Sequence, residues 1–239
     1  MTDQASVDSW LAEFVERLRV AFGERLLFVG HHGSWARGDA TPDSDIDTMV
    51  ILDDLAPQDL GAYRAVIDAM PDGGRLASGL LNSVAEMRAR PRFGLLQYFH
   101  GCNVLHGGLD GIVEAPTARD LIEAVRSSAA NNLLSARHYL LYPHDLRERV
   151  ARLRYPFKEC VFALQAWLLA RQGRYYGRKD ELLDALADAD DREVLRVVRD
   201  WGQLEQDRQA RPRYYVELLE RWSRSMSERL AAEVEPEGA

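Results

Sequence analysis

The spacing of apolar residues changes near Thr117, and this change limits the folds that the chain can adopt. Before it, short apolar runs of strand length alternate with stretches of helical periodicity. After it, strand-like runs are absent and apolar residues recur every three or four positions, as they do on one face of a helix. The sequence therefore predicts an α/β N-terminal domain with a small mixed sheet, followed by an all-α C-terminal helical bundle.

The segment between Gly108 and Pro116 has the composition of a domain boundary, because glycine, proline and acidic residues cluster there. We expect the first domain to span residues 1–112 and the bundle to span residues 113–232. The acidic segment 233–239 is predicted to be a disordered tail. The apolar pattern of the first domain predicts helices at 7–22 and 59–70, and strands at 25–30, 46–52, 76–84 and 99–105.

Composition excludes several classes of protein. The chain has 239 residues, of which 46% are hydrophobic, so it can bury a sizeable core. Thirty Lys and Arg against 38 Asp and Glu give a net charge of −8, which argues against broad binding of nucleic acid through its phosphates. No apolar run has the length of a membrane span, and the first residues lack the pattern of a signal peptide. We expect a cytoplasmic protein with no membrane partner and leave its oligomeric state open.

Two aspartates lie two residues apart where a buried strand is predicted to begin. Asp45 and Asp47 flank Ile46, and side chains at positions i and i+2 of a strand leave the same face of a sheet. Two adjacent carboxylates repel each other unless they share a proton or a divalent cation, and oxygen ligands suit Mg²⁺. We therefore predict that Asp45 and Asp47 bind Mg²⁺, which would bring the oxygens of a triphosphate to the same place.

A glycine and a serine follow the strand predicted at 25–30. Gly33 permits close approach of the backbone to a ligand. Ser34 offers a hydroxyl and an N–H at the expected start of a helical turn, where anions are stabilised. These two residues are candidates for holding phosphates.

The segment 33–47 resembles the signature of the DNA polymerase β-like nucleotidyltransferases. That signature is Gly-Ser or Gly-Gly, a short spacer, and then Asp-hydrophobic-Asp opening a strand. In this chain residues 33–34 are Gly-Ser and residues 45–47 are Asp-Ile-Asp. Ala-Arg-Gly at 36–38 and Ser-Asp-Ile-Asp at 44–47 are similar to the minimal nucleotidyltransferases and to the aminoglycoside-modifying members. The helical second half is similar in style to the helical domain that many such enzymes carry.

The resemblance implies Mg²⁺-dependent transfer of a nucleoside monophosphate, AMP from ATP, to a hydroxyl of a small molecule, with antibiotics among the candidate acceptors. It implies that Asp45 and Asp47 are catalytic and bind one or two Mg²⁺ ions. It also implies that Gly33 and Ser34 hold the β- and γ-phosphates of the nucleoside triphosphate.

Arg37 and Ser44 complete the nucleotide-binding residues that the resemblance implies. Arg37 would add positive charge near the leaving group. The alternative for Arg37 is an ion pair with Asp39 or Asp43 that only shapes the loop.

The predicted third strand departs from the family pattern. Members usually supply a third carboxylate from this strand, but the segment 76–84 contains no acid. Glu86, just beyond the strand, and Glu159, expected in the first turn of a long helix of the bundle, are the candidates for this catalytic role. If neither serves, the chain binds or regulates nucleotide with little transfer. A further alternative is nucleotidylation of a protein, as minimal members do to their toxin partners.

Three other groups of polar residues are predicted to be structural. The adjacent histidines 31–32 should point to opposite faces of a strand, so at most one faces the site. The tyrosines 175–176 are interpreted as part of a helix C-terminus, with stacking on a base or sugar as the alternative. The arginine-rich stretches 147–154 and 208–213 are predicted to form solvated faces.

Overall fold

A computed structural model describes residues 3–41 and 43–234 of the chain. The chain divides into two compact units, Met1–Pro116 and Thr117–Ala239. The last helix continues to Val234, and the rest of the segment predicted to be a disordered tail, residues 235–239, lies outside the described residues. No helix in the described ranges is long and apolar enough to cross a membrane.

The first unit alternates helices with the strands of a four-stranded mixed sheet, as the sequence predicts. Its elements in chain order are α1 (Gln4–Phe22), β1 (Leu26–His32), α2 (Gly33–Arg37), β2 (Ile46–Leu52), α3 (Pro57–Asp68), α4 (Gly73–Leu76), β3 (Ala77–Ser83), α5 (Val84–Ala89), α6 (Leu96–His100) and β4 (Asn103–Gly107). Short 3₁₀ turns lie at Gly23–Arg25 and Arg92–Leu95.

The sheet has the strand order β3-β2-β1-β4. β1 pairs antiparallel with β2 and with β4, while β2 pairs parallel with β3. Directly paired residues on neighbouring strands point to the same face of a sheet. The register places His32 beside Asp47 on one side and Ser78 beside Asp47 on the other, so these three side chains share a face.

Each face of the sheet buries its own core, because successive side chains of a strand alternate between faces. On one face, side chains of β1 and β2 pack with the apolar stripe of α1, which includes Val7, Trp10, Leu11, Phe14 and Leu18. On the other face, which also carries Asp47, the core contains Phe28, Met49, Ile51, Met87, Leu95 and Tyr98. Burying one such side chain stabilises the fold by about 1.5–3 kcal/mol, which is why apolar spacing determines where α1 packs.

The second unit is entirely helical in the part that the structure describes, as the sequence predicts. Its helices are α7 (Ala118–Leu141), α8 (Leu146–Val150), α9 (Arg154–Gln172), α10 (Lys179–Ala185), α11 (Ala189–Arg199), α12 (Glu205–Ala210) and α13 (Pro212–Val234), with a 3₁₀ turn at Ala151–Leu153. The core between the long helices contains the fully buried aromatic side chains Phe157, Tyr215 and Trp222.

An ion pair with a buried carboxylate joins α11 to α13. Asp191 is only 3% exposed. Its carboxylate accepts a hydrogen bond from Trp222 Nε1 at 2.8 Å and two from the guanidinium of Arg229, each at 2.8 Å. Because both charges are bonded in place, the pair fixes the relative position of the two helices.

Two predictions about polar residues of this unit have different outcomes. Tyr176 is buried, and its carbonyl accepts a hydrogen bond from Gln165 Nε2 at 2.8 Å, just after Gly173 ends α9 in a left-handed conformation. This arrangement matches the interpretation as a helix C-terminus. The prediction of a solvated face is wrong for Arg208, which is buried because it lies against Trp201.

Candidate active site

The two aspartates lie at the start of β2, at one end of the sheet. Asp45 directly precedes the strand and is exposed, while Asp47 is its second residue and is half-buried. Asp47 therefore belongs to a central strand with a neighbour on each side. A rigid strand holds its carboxylate in a fixed place, as a site for a ligand requires.

Gly33 lies directly against the carboxylate of Asp47. A Cβ at position 33 would stand 1.9 Å from Asp47 Oδ2 and 2.7 Å from Asp47 Cγ. The backbone at Gly33 also has φ +81°, in the region that favours glycine. Glycine is therefore required here for two separate reasons, one of which is the position of the Asp47 carboxylate.

The segment after Gly33 forms a five-residue helix, α2, and then a loop closed by its own hydrogen bonds. Trp35 Nε1 donates to the carbonyl of Ser44 at 3.2 Å, and the N–H of Asp39 donates to the carbonyl of Ser34 at 2.9 Å. The side chain of Ser44 accepts from the N–H of Thr41 at 2.9 Å. These bonds hold the chain that connects the two ends of the motif, and Ser44 Oγ takes part in this turn.

Arg37 forms an ion pair with Asp39, with 3.8 Å between Nε and Oδ2. This contact is the loop-shaping alternative that the sequence left open. The side chain of Arg37 is 23% exposed, so part of the guanidinium still reaches solvent.

His32 lies beside Asp47, although the sequence predicted a structural role for both histidines, with at most one of them facing the site. It ends β1 directly before Gly33 and is paired with Asp47. Burial lowers the pKa of His32 to about 4; Arg37 lowers it further, and Asp45 opposes the shift. Its imidazole is therefore neutral at pH 7. His31 lies on the opposite face beside Thr48, so the prediction that the two histidines point apart is confirmed.

Comparison with known proteins identifies the domain that holds this cluster. The family model described as nucleotidyltransferase domain matches residues 11–79, which include the later part of α1, both strands of the motif and the loop between them. The chain carries a nucleotidyltransferase domain. This match supports the DNA polymerase β-like superfamily, which the motif at 33–47 resembles, and it supports a nucleotidyltransferase with a helical second unit.

A solved structure supports the same fold for nearly the whole nucleotidyltransferase chain. Spectinomycin adenyltransferase AAD(9) from Enterococcus faecialis, crystallised with ATP and spectinomycin, matches with a TM-score of 0.54 over 93% of this chain and 98% of that chain, at 14% sequence identity. At this identity the likeness shows the fold alone. No curated protein matches the chain in sequence.

In the described part of the nucleotidyltransferase domain, no carboxylate stands opposite Asp47 on the neighbouring strand β3. The residue paired with Asp47 on β3 is Ser78. Glu86 lies beyond the other end of β3; the strand from Ser78 to Ser83 alone covers about 16 Å at roughly 3.3 Å per residue. The carboxylate of Glu86 accepts hydrogen bonds from Ser83 N at 2.7 Å and Ser83 Oγ at 3.1 Å, which caps α5. The candidate role of Glu86 is therefore wrong, because its position and its bonds serve a helix cap.

Glu159 belongs to the second unit of the nucleotidyltransferase. The sequence placed it in the first turn of its helix, but α9 begins at Arg154, so Glu159 is one turn further along and lacks the stabilisation of a helix start. Burial raises the pKa of its carboxyl group. A raised carboxyl pKa suits a general base, so Glu159 stays a candidate on that ground alone.

The residues near Asp47 fit a Mg²⁺ ion that is completed by a nucleotide. Across residues 3–41 and 43–234 there is no group of three or more His, Cys, Asp and Glu side chains that could hold a metal by itself. Asp45 and Asp47 supply oxygen ligands only, and Mg²⁺ commonly takes one or two carboxylates together with phosphate oxygens and water. Because Gly33 has no side chain, the Asp47 carboxylate can lie directly against the backbone there, where a Cβ would clash with Oδ2 at 1.9 Å.

Proposed function

We propose that this nucleotidyltransferase moves AMP from ATP to a hydroxyl group of a small molecule in a Mg²⁺-dependent reaction. The acceptor oxygen would form a bond to the α-phosphorus, and the bond from that phosphorus to the β-phosphate oxygen would break. Pyrophosphate leaves, and the proton of the acceptor hydroxyl passes to a base.

The observation that carries the proposal is the contact between Gly33 and Asp47. Gly33, which has a positive φ, follows β1 and lies against the carboxylate of Asp47 near the start of β2. No side chain stands between them. In this arrangement Asp45 and Asp47 hold the metal, while the backbone at Gly33 and Ser34 binds the β- and γ-phosphates. Mg²⁺ bound there would neutralise charge on the transferred phosphate and on the leaving pyrophosphate.

The proposed substrates follow from those of the structural relative. The structural relative was crystallised with ATP and with spectinomycin, a small acceptor that carries hydroxyl groups. We propose ATP and a hydroxyl-bearing antibiotic or similar small molecule for this chain as well. Gly33, Ser34 and Arg37 would contact the triphosphate; Ser44, whose side chain closes the turn with Thr41, would act by holding the loop.

The test is transfer of label from ATP. The full chain is incubated with Mg²⁺, ATP labelled at the α-phosphate and a panel of aminocyclitol and aminoglycoside acceptors that includes spectinomycin. We expect a labelled acceptor and an equal amount of pyrophosphate. Asp47→Asn should reduce both to background, because the amide does not replace a carboxylate as a ligand of Mg²⁺.

Asp43→Asn is the matched control, since Asp43 is an exposed acid of the same loop. This variant should keep its transfer activity, and thermal unfolding should show that both variants fold. Equal activity in Asp47→Asn and in the parent chain would contradict the proposal.

A second function is binding of nucleotide without efficient transfer. Ser78, in place of an acid beside Asp47, favours it, because a missing base costs about 10²–10⁴ in rate. Tight Mg²⁺-ATP binding with no label on any small acceptor would support this function. Label that appears instead on a protein would support nucleotidylation of a partner.

A further inference from the structure

Arg208 in the helical unit is a buried cation without a carboxylate partner. It is 5% exposed and is the one Lys or Arg that is buried in the part of the chain that the structure describes. Buried charged groups are normally paired, as Asp191 is with Arg229. Within the same described ranges, Arg208 forms no ion pair.

The guanidinium of Arg208 is held in one orientation by Trp201. Its Cζ lies 3.9 Å from the centre of the indole ring. Nη1 donates a hydrogen bond to the carbonyl of Trp201. Trp201 in turn packs against the buried ring of Phe157. One edge of the planar guanidinium is thus fixed, and its remaining N–H groups keep a defined direction.

A second arginine stands near this cation. Arg154, the first residue of α9, is exposed, and the described chain gives it no ion pair. It contributes, after burial, to lowering the pKa of Arg208, as a nearby like charge does. Arg154 and Arg208 therefore place two positive charges in the same neighbourhood.

The acids in this neighbourhood do not neutralise that charge. Glu205 is exposed and forms no ion pair with Arg208 in the described chain. The carboxylate of Asp207 is bound by Arg211 at 2.7 Å and by the hydroxyl of Tyr215 at 2.6 Å. Stacking on an indole offsets only part of the cost of burying a cation.

We propose that Arg208 and Arg154 bind a phosphate group of a ligand, and that Trp201 positions Arg208 for this contact. A guanidinium matches the oxygens of a phosphate in shape and charge, and a pre-oriented one loses little entropy on binding. We name Arg154, Trp201 and Arg208 the Arg208 site. The phosphate could belong to a nucleotide or to a phosphorylated small molecule, and the experiment separates these sources.

The first experiment measures binding of inorganic phosphate to the full chain by calorimetry, at constant ionic strength set with chloride. We expect saturable binding that falls by about tenfold or more in Arg208→Met, because a charged hydrogen-bond donor is lost. Arg154→Met should weaken binding as well, and since Arg154 is exposed this variant tests the site even where Arg208→Met fails to fold. Arg213→Met is the matched control, because Arg213 is exposed and already paired with Glu217.

The second experiment identifies the source of the phosphate in the Asp45→Asn, Asp47→Asn double variant, in which the nucleotide site of the first unit is disabled. Competition by ATP would assign the site to a nucleotide, and competition by ribose 5-phosphate would assign it to a phosphorylated acceptor. Three results would overturn the proposal. Phosphate binding could vanish in this double variant, it could be absent in the parent chain, or it could be unchanged in Arg154→Met and Arg208→Met. None of these results bears on nucleotidyl transfer, which the labelling assay tests separately.

Discussion

Replacing Gly33 by alanine tests whether the Asp47 carboxylate depends on a glycine beside it. A non-glycine residue in the left-handed region, such as one at φ +81°, costs about 1–2 kcal/mol of folding free energy. The added Cβ would also stand 1.9 Å from Asp47 Oδ2, whereas ordinary contacts begin at 3.4 Å. The carboxylate must therefore move by about 1.5 Å, and a displacement near 1 Å in an active site can reduce rate about 10²-fold.

Gly111→Ala is the matched control for the backbone term. Gly111 has φ +75°, and a Cβ there would meet nothing within 4 Å. Both variants should lose a similar free energy of unfolding from the backbone. Only Gly33→Ala should also lose Mg²⁺-ATP affinity and transfer rate, because only Gly33 contacts the Asp47 carboxylate.

The assay combines urea unfolding with calorimetric titration of Mg²⁺-ATP for each variant. In an Asp47→Ala background the excess destabilisation by Gly33→Ala over Gly111→Ala should shrink. It should not vanish, since the contact with Asp47 Cβ at 2.9 Å remains. Equal losses of stability and of nucleotide affinity in the two glycine variants would refute the reasoning.

Three further predictions concern stability and the helix cap. Burial lowers the pKa of His31 to about 4, below the roughly 6.5 of a histidine in an unfolded chain. The free energy of unfolding should therefore fall by up to about 3 kcal/mol as the pH drops from 6.5 to 4. In urea unfolding, His31→Gln should show a shallower dependence of this free energy on pH. Asp191→Ala should cost about 3 kcal/mol, because it leaves the partly buried guanidinium of Arg229 unpaired and removes the acceptor of Trp222 Nε1. Asp190→Ala, which breaks a more exposed pair, should cost about 1 kcal/mol or less in the same denaturation assay. Glu86→Gln should leave nucleotidyl transfer unchanged and alter stability by about 1 kcal/mol or less, since the amide can still serve in the capping box; a large loss of transfer would restore Glu86 as a catalytic candidate.

Apolar patterning predicted the layers of the fold because burial is the largest favourable term in folding. The stripe of α1 identified from spacing is the stripe that is buried, and the strand predicted at 46–52 is β2 without change. The contact between Gly33 and Asp47 was beyond prediction, since it depends on how two strands distant in sequence are paired.

Helix boundaries set by short turns were harder to predict. Glu159 was expected in the first turn of its helix, but α9 begins earlier, at Arg154 after a 3₁₀ turn. Pro156 does not prevent this start, because a proline is compatible with the first turn of a helix. Glu86 is a different case, because Ser83 and Glu86 have the spacing of a capping box and the sequence itself carries that signal. Using it would have removed Glu86 from the catalytic candidates.

The pairing register of β3 decides which of its residues lies beside Asp47, and the sequence alone does not give this register. Without the structure, the absence of acids in 76–84 left any position of the strand as the missing one. The parallel pairing of β2 with β3 places Ser78 beside Asp47, on the face where a third metal ligand would have to stand. A serine hydroxyl does not carry the negative charge that a base or a second Mg²⁺ would need. The proposed metal site in the first unit therefore rests on Asp45 and Asp47, and the proposed reaction needs a general base that β3 does not supply opposite Asp47.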